Sequence, residues 1–121
     1  MRYIFLIYSQ EVPDGLSPEE LGGVQRAHGA VMEGTAQKGV LRGVEALKPT
    51  TTATTVRMKN GTAITTDGPF AETKEQLAGF YVIECQNLDE AIEWAKQIPT
   101  ACKGGNGCIE IRPIHELARR P

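Results

Sequence analysis

The sequence is short of the residues that staple small folds or gather metal ions. It has 3 cysteines, an odd number with no CxxC spacing. Cys85, Cys102 and Cys108 therefore read as free thiols in a reducing compartment. Cys102 and Cys108 flank a glycine-rich loop, which leaves a redox pair open as the weaker alternative. With 2 histidines and no clustered ligand spacing, the chain falls short of what zinc requires. Charge of one sign is also scarce. The formal net charge is -2, with no basic stripe to grip a phosphate backbone, so no direct nucleic-acid partner is expected. The longest apolar stretch near the start, Tyr3 to Tyr8, is too short for a membrane span or a signal core. It runs into Ser9-Gln10-Glu11 without a small-residue cleavage site. No membrane association and a cytoplasmic location are the expectations.

What is present suits one domain. The 121 residues are 40% hydrophobic and 23% charged, enough to bury a core without staples. Residues 3–8 read as a first strand buried on both faces. A turn follows at Pro13-Asp14-Gly15. Ser17-Pro18-Glu19-Glu20 combines an N-cap, a proline at the first helical position and a capping-box glutamate, predicting a helix to about Lys38 with Gly39 as its stop. Its apolar stripe is Leu21, Val24, Val31 and Met32. Gly22, Gly23, Gly29 and Gly34 each weaken that helix by roughly 1 kcal/mol, so packing must hold it and some of them serve close approach.

Residues 40–47 form a second predicted strand, ended by Pro49. A β-branched run from Thr50 leads into Val56-Arg57-Met58, and Asn60-Gly61 is the strongest hairpin signal, with residues 62–66 returning. Asp67-Gly68-Pro69-Phe70 breaks the strand, and a short helical turn is expected around Lys74–Leu77. Residues 79–85 are a further strand. Asn87-Leu88-Asp89-Glu90 opens a second helix, expected to reach Ile98, with Leu88, Ala91, Ile92, Ala95 and Ile98 as its stripe. After the loop Lys103–Gly107, which lacks the spacing of a phosphate-binding loop, residues 108–112 alternate as a last strand. His115–Arg120 is expected to form a surface helix or a frayed end.

Two β-α-β units with a hairpin spliced between them predict an α+β fold, a ferredoxin-like antiparallel sheet with two helices on one face and an inserted β-hairpin. The helix-free face, rich in Tyr, Phe, Ile and Val, needs cover, and a homodimer pairing sheet against sheet is the expected solution.

The segment from Asp67 through Asp67-Gly68-Pro69-Phe70-Ala71-Glu72-Thr73-Lys74 to Gly79-Phe80-Tyr81-Val82-Ile83-Glu84 resembles the signature of the YCII-related, DGPF-containing family. Ala27-His28-Gly29, Gly39-Val40-Leu41 with Glu45-Ala46-Leu47, and Ile109-Glu110-Ile111-Arg112-Pro113-Ile114 extend the resemblance over essentially the whole chain. It implies a dimeric α+β barrel and an active site built on a histidine and an aspartate, which here would be His28 and Asp67. It also implies an association of some relatives with sigma factors. The glycine-rich stretch from Thr100 to Gly107 and the tail from His115 depart from the family pattern.

The residues themselves leave both bland and chemical roles open. His28 falls in the middle of the apolar stripe and points at the sheet. It is either a satisfied core histidine or a shielded proton carrier that needs a partner to fix its tautomer. Asp67, before Gly-Pro, suits an Asx turn as well as a histidine partner. Tyr8, Arg42, Phe70 and Tyr81 are the candidate substrate contacts. The two tyrosines on strands serve either packing or a hydrogen bond to a ligand. Arg42 suits an anionic substrate or a sheet edge, and Phe70 at the bend suits plugging the mouth of the pocket or the dimer seam.

Two functions follow. One is a small enzyme without metal or organic cofactor, using a His28–Asp67 pair for proton transfer of lyase or isomerase type on a compact metabolite between the first helix and the sheet. The other is a non-catalytic dimeric sensing or interaction module linked to sigma-factor regulation. A haem or oxygen enzyme is disfavoured, because His28 would have to be a lone axial ligand.

Overall fold

The computed structural model describes residues 1–12, 15–100 and 107–117. Its elements run β1 (Arg2–Ser9), α1 (Pro18–Gln37), β2 (Leu41–Ala46), a 3-10 turn (Thr50–Thr52), β3 (Thr54–Lys59), β4 (Thr62–Asp67), β5 (Gln76–Glu84), α2 (Leu88–Ala95) and β6 (Gly107–Pro113). The main sheet has the order β2-β5-β1-β6 with antiparallel pairing throughout, and β3-β4 form a separate two-stranded sheet. This is the ferredoxin-like α+β arrangement with an inserted hairpin. The turn residues Pro13 and Asp14, Cys102, positions 103–106 of the glycine-rich loop and positions 118–120 of the tail lie outside the described residues.

Local chemistry sets the boundaries. Ser17 Oγ accepts the Glu20 N–H at 3.1 Å and Glu20 Oε1 accepts the Ser17 N–H at 3.3 Å, closing the capping box at the start of α1. Gly39, at φ +70°, ends the helix. Asn60 and Gly61 both have positive φ, 51° and 79°, as a type I′ hairpin turn demands. Asn87 caps α2 by accepting the Glu90 N–H at 2.9 Å.

Both helices cover one face of the main sheet. Val31, Ala91, Trp94 and Ile98 pack with Tyr3, Phe5, Ile7, Tyr81 and Ile83 in one buried cluster. Thr35 joins this core because its hydroxyl donates to the Val31 carbonyl at 2.8 Å, leaving nothing unpaired. Gly34 lies beside the Trp94 ring, where a Cβ would make an ordinary contact at 3.8 Å from Trp94 Cζ3.

Several boundaries and facings differ from expectation. β1 alternates instead of being buried on both faces: Tyr3, Phe5, Ile7 and Ser9 face the helices, and Arg2, Ile4, Leu6 and Tyr8 are half-buried on the other side. A single chain supplies helices for only one face. Leu21, Leu88 and Ile92 are exposed, while Trp94 takes the core position of the second helix. The short α2 ends at Ala95, with Ala91 and Trp94 buried against the sheet and Ile92 exposed. No helical turn forms at Lys74–Leu77, because β5 starts at Gln76 and draws that segment into the sheet with Ser9.

The register of β1 against β5 shifts between Ile7↔Gly79 and Tyr8↔Leu77, so Ala78 is an extra residue that bulges from the ladder. Gly79 beside it touches the edge strand closely. A Cβ there would sit 2.5 Å from the Glu45 carbonyl oxygen and 3.2 Å from Ala46 Cα. Gly29 in mid-helix meets nothing within 4 Å.

Glycine substitutions should therefore act in opposite directions. Gly29→Ala is expected to raise unfolding free energy by up to about 1 kcal/mol. Gly79→Ala is expected to lower it by about 1–3 kcal/mol, as β2 is forced away. Urea midpoints of the two variants check this, and a neutral Gly79→Ala would remove the close-approach account.

Candidate functional site

The bulge at Ala78 and the narrow Gly79 leave room between α1 and the β2 edge of the sheet. A hollow of about 390 Å3 lies there, walled by Gln25, His28 and Met32 from α1, Ile7 from β1, Val44 to Ala46 from β2, and Ala78, Gly79 and Tyr81 from β5. This volume suits a compact small molecule. A second hollow, also about 390 Å3, shares Ile7, His28 and Ala78 and extends to Ser9, Glu11, Lys48, Gln76 and Thr100. His28 is thus on the wall of both.

His28 reaches the sheet from the middle of α1. Its Nδ1 lies 2.7 Å from the Tyr81 hydroxyl, and the two rings meet edge to face at 5.9 Å between centroids. Tyr81 sits on the helix-facing side of β5, paired with Phe5 and Val44, and is only 1% exposed. Burial lowers the His28 pKa from its ordinary 6.5 and pushes the Tyr81 hydroxyl up to about 12. At neutral pH the pair is an uncharged imidazole bonded to an intact phenol.

The other candidate residues are distributed elsewhere. Asp67, exposed at the end of β4, lines a hollow of about 510 Å3 with Thr50, Thr51, Gly68, Pro69, Thr73 and Gln76. Among the described residues no hydrogen bond or ion pair joins it to His28. Gln76 is a wall shared between this hollow and the second His28 hollow. Gly68, at φ +98°, donates its N–H to the Ala53 carbonyl at 2.7 Å, and its own carbonyl accepts from the Thr55 hydroxyl at 2.8 Å. That pins the Asp67–Phe70 bend to the hairpin. Phe70 is 76% exposed, and it lines a groove of about 550 Å3 together with Tyr8. Arg42 Nη1 donates to the Gly39 carbonyl at 2.7 Å, closing the α1–β2 corner.

Of the six candidates, then, the fold brings His28 and Tyr81 into contact, puts Tyr8 and Phe70 on one groove, and gives Asp67 and Arg42 separate surroundings. Gln25, Met32, Val44, Glu45 and Gly79 were not anticipated from sequence. Gln25 had a legible signal, since it lies one turn before His28 on the same helical face. Glu11 also escaped notice. Its carboxylate accepts from the Thr50 N–H at 2.8 Å and the Thr50 hydroxyl at 2.9 Å, and its N–H donates to Gln76 Oε1 at 2.8 Å. These bonds tie the end of β1 to the start of β5. Among the described residues no three metal-ligating side chains are gathered, and no helix is long and apolar enough to cross a membrane.

The depressed His28 pKa has a definite sign for stability. The unfolded chain takes up a proton as pH falls through about 6.5, while the folded chain resists until its own lower pKa is reached. Between those two values, acidification destabilises the fold. Stability of the wild type should fall more steeply from pH 7 to pH 5 than that of His28→Gln, read by denaturant unfolding. Parallel curves for the two proteins would contradict the depressed pKa.

A family model described as the YCII-related domain matches residues 1–118. A protein described as uncharacterized, from Rhizobium meliloti (strain 1021), is 44% identical over 115 residues, covering 94% of this chain and 92% of that protein.

Proposed function

We propose, from the premise that this chain belongs to the YCII-related family, that the His28 hollow binds a compact metabolite and that the His28–Tyr81 pair serves proton transfer on it. The reaction would be of lyase or isomerase type, the imidazole N–H supplying a proton and the Glu45 carboxylate in the same lining able to take one. The observation that carries this reading is the 2.7 Å bond between an uncharged imidazole and a buried phenol on the wall of a hollow large enough for a guest. A histidine serving packing alone would have no need of unfilled space beside it. Tyr81 orients the ring from Nδ1, as a carboxylate does in a His–Asp pair, but with the opposite polarity: a carboxylate accepts from Nδ1, whereas the phenol can donate to it. Asp67, in its own hollow, remains a candidate for holding a polar substituent of a longer ligand.

The outer face of the sheet supports pairing with a second copy. Ile4 and Val82 are register partners there, as are Leu6 and Phe80, and all four are only half-buried in the single chain. Apolar area of this kind favours an isologous contact.

Two measurements test these readings. In a metabolite-library thermal-shift screen, a ligand at about a hundred times its Kd should stabilise the wild type by about 2.7 kcal/mol and leave His28→Ala unshifted. Equal stabilisation of both would detach binding from His28, and no stabilising ligand would favour a non-catalytic interaction module. In sedimentation equilibrium the wild type should run at twice its 13.2 kDa chain mass, and Leu6→Asp at the chain mass. A wild type at the single-chain mass would remove the dimer.

A further inference from the structure

The Tyr81 hydroxyl has one proton to give and almost no access to water. Among the described residues its hydrogen-bond partner is His28 Nδ1. Leaving a buried hydroxyl proton without an acceptor costs about 1–3 kcal/mol, so the favoured arrangement has Tyr81 donating and Nδ1 accepting. Nδ1 can accept only through its lone pair, and the single proton of a neutral imidazole must then be on Nε2. Nε2 has no protein partner among the described residues, and the ring lines the hollow.

The remaining walls limit what that N–H meets. Ile7, Met32, Val44 and Ala78 are apolar, Glu45 brings a carboxylate, and no lysine or arginine lines this hollow. Lys48 belongs to the neighbouring one. An anion seated beside Nε2 would lie near Glu45 without a compensating cation, whereas an uncharged acceptor suffers no such cost.

We propose that Tyr81 holds His28 as its Nε2–H tautomer, and that the hollow takes an uncharged carbonyl compound whose oxygen accepts that N–H. The proposal deepens the reading of this hollow as a ligand site and rests on it. His28 then polarises the carbonyl as a neutral donor, and Tyr81 is a positioning residue.

The test combines nitrogen-15 NMR of His28 with fragment titration. In the wild type, Nε2 should resonate as a protonated nitrogen and Nδ1 as an unprotonated one, and Tyr81→Phe should mix the two forms. The probes are 2-cyclohexenone, cyclohexanecarboxylate and the oxygen-free methylcyclohexene, followed by chemical shift. The enone should perturb the His28 Nε2–H and bind about tenfold more tightly than either of the others. A protonated Nδ1 in the wild type, or tighter binding of the carboxylate or the hydrocarbon, overturns the proposal while leaving the hollow a ligand site. No binding by any probe with the Nε2–H tautomer intact overturns the ligand-site reading, and the carbonyl assignment with it.

Discussion

A phenol buried in the middle of a sheet must find an acceptor for its proton, and the site is organised by that requirement. Tyr81 is held by strands on both sides, paired to Phe5 and Val44, so its hydroxyl cannot swing to solvent. The acceptor has to come to it from the covering helix. His28 supplies it from the middle of α1, and the helix is fixed over the sheet by Val31, Thr35 and the Gly34–Trp94 contact. The helix is intrinsically weak for its length because of its glycines, so this packing and the capping box hold it in place.

The space beside the pair has its own cause. A regular ladder would have continued the β5 register past Gly79 and kept the strands evenly filled. The bulge at Ala78 and the approach of Gly79 to the Glu45 carbonyl bring two residues without bulk to the place where α1 crosses. The hollow is therefore a product of backbone irregularity plus small side chains, and it lies at the edge of the sheet where β2 ends.

What was legible in the sequence was local. The capping box at Ser17 and Glu20, the Asn60-Gly61 turn and the Asn87 cap each depend on neighbours within a few positions, and each forms as the residues demand. The two β-α-β units with a hairpin spliced between them were enough to give the ferredoxin-like arrangement. The facings that differed have non-local causes. Trp94 takes the core place expected of Ile92, packing its indole beside Gly34 of the other helix. Lys74–Leu77 loses its helical turn because β1 offers a strand edge to pair with. His28 could be placed on the sheet-facing stripe by counting, but its partner lies 53 residues away on β5. His28 and Tyr81 are each legible singly as candidates, and nothing in the spacing joins them.

The separation of Asp67 from His28 follows from the same non-local logic. The Asp67–Phe70 bend is bonded to the hairpin through Gly68, Ala53 and Thr55, so it travels with β3 and β4 rather than with the main sheet. The main sheet reaches that region through Gln76, whose side-chain oxygen accepts from Glu11. Glu11 in turn spends both carboxylate oxygens on Thr50 at the entrance to the hairpin. A buried or half-buried carboxylate so engaged is a strut, and removing it would free both the hairpin base and the end of β1. The imidazole is accordingly bonded to a neutral group, Tyr81, while Glu45 and Glu11 line its hollows with no hydrogen bond to the ring among the described residues, and Glu11 serves the attachment of the hairpin. That division fits a site in which a neutral histidine acts through one N–H, because a carboxylate bonded to the ring would favour the charged imidazolium instead.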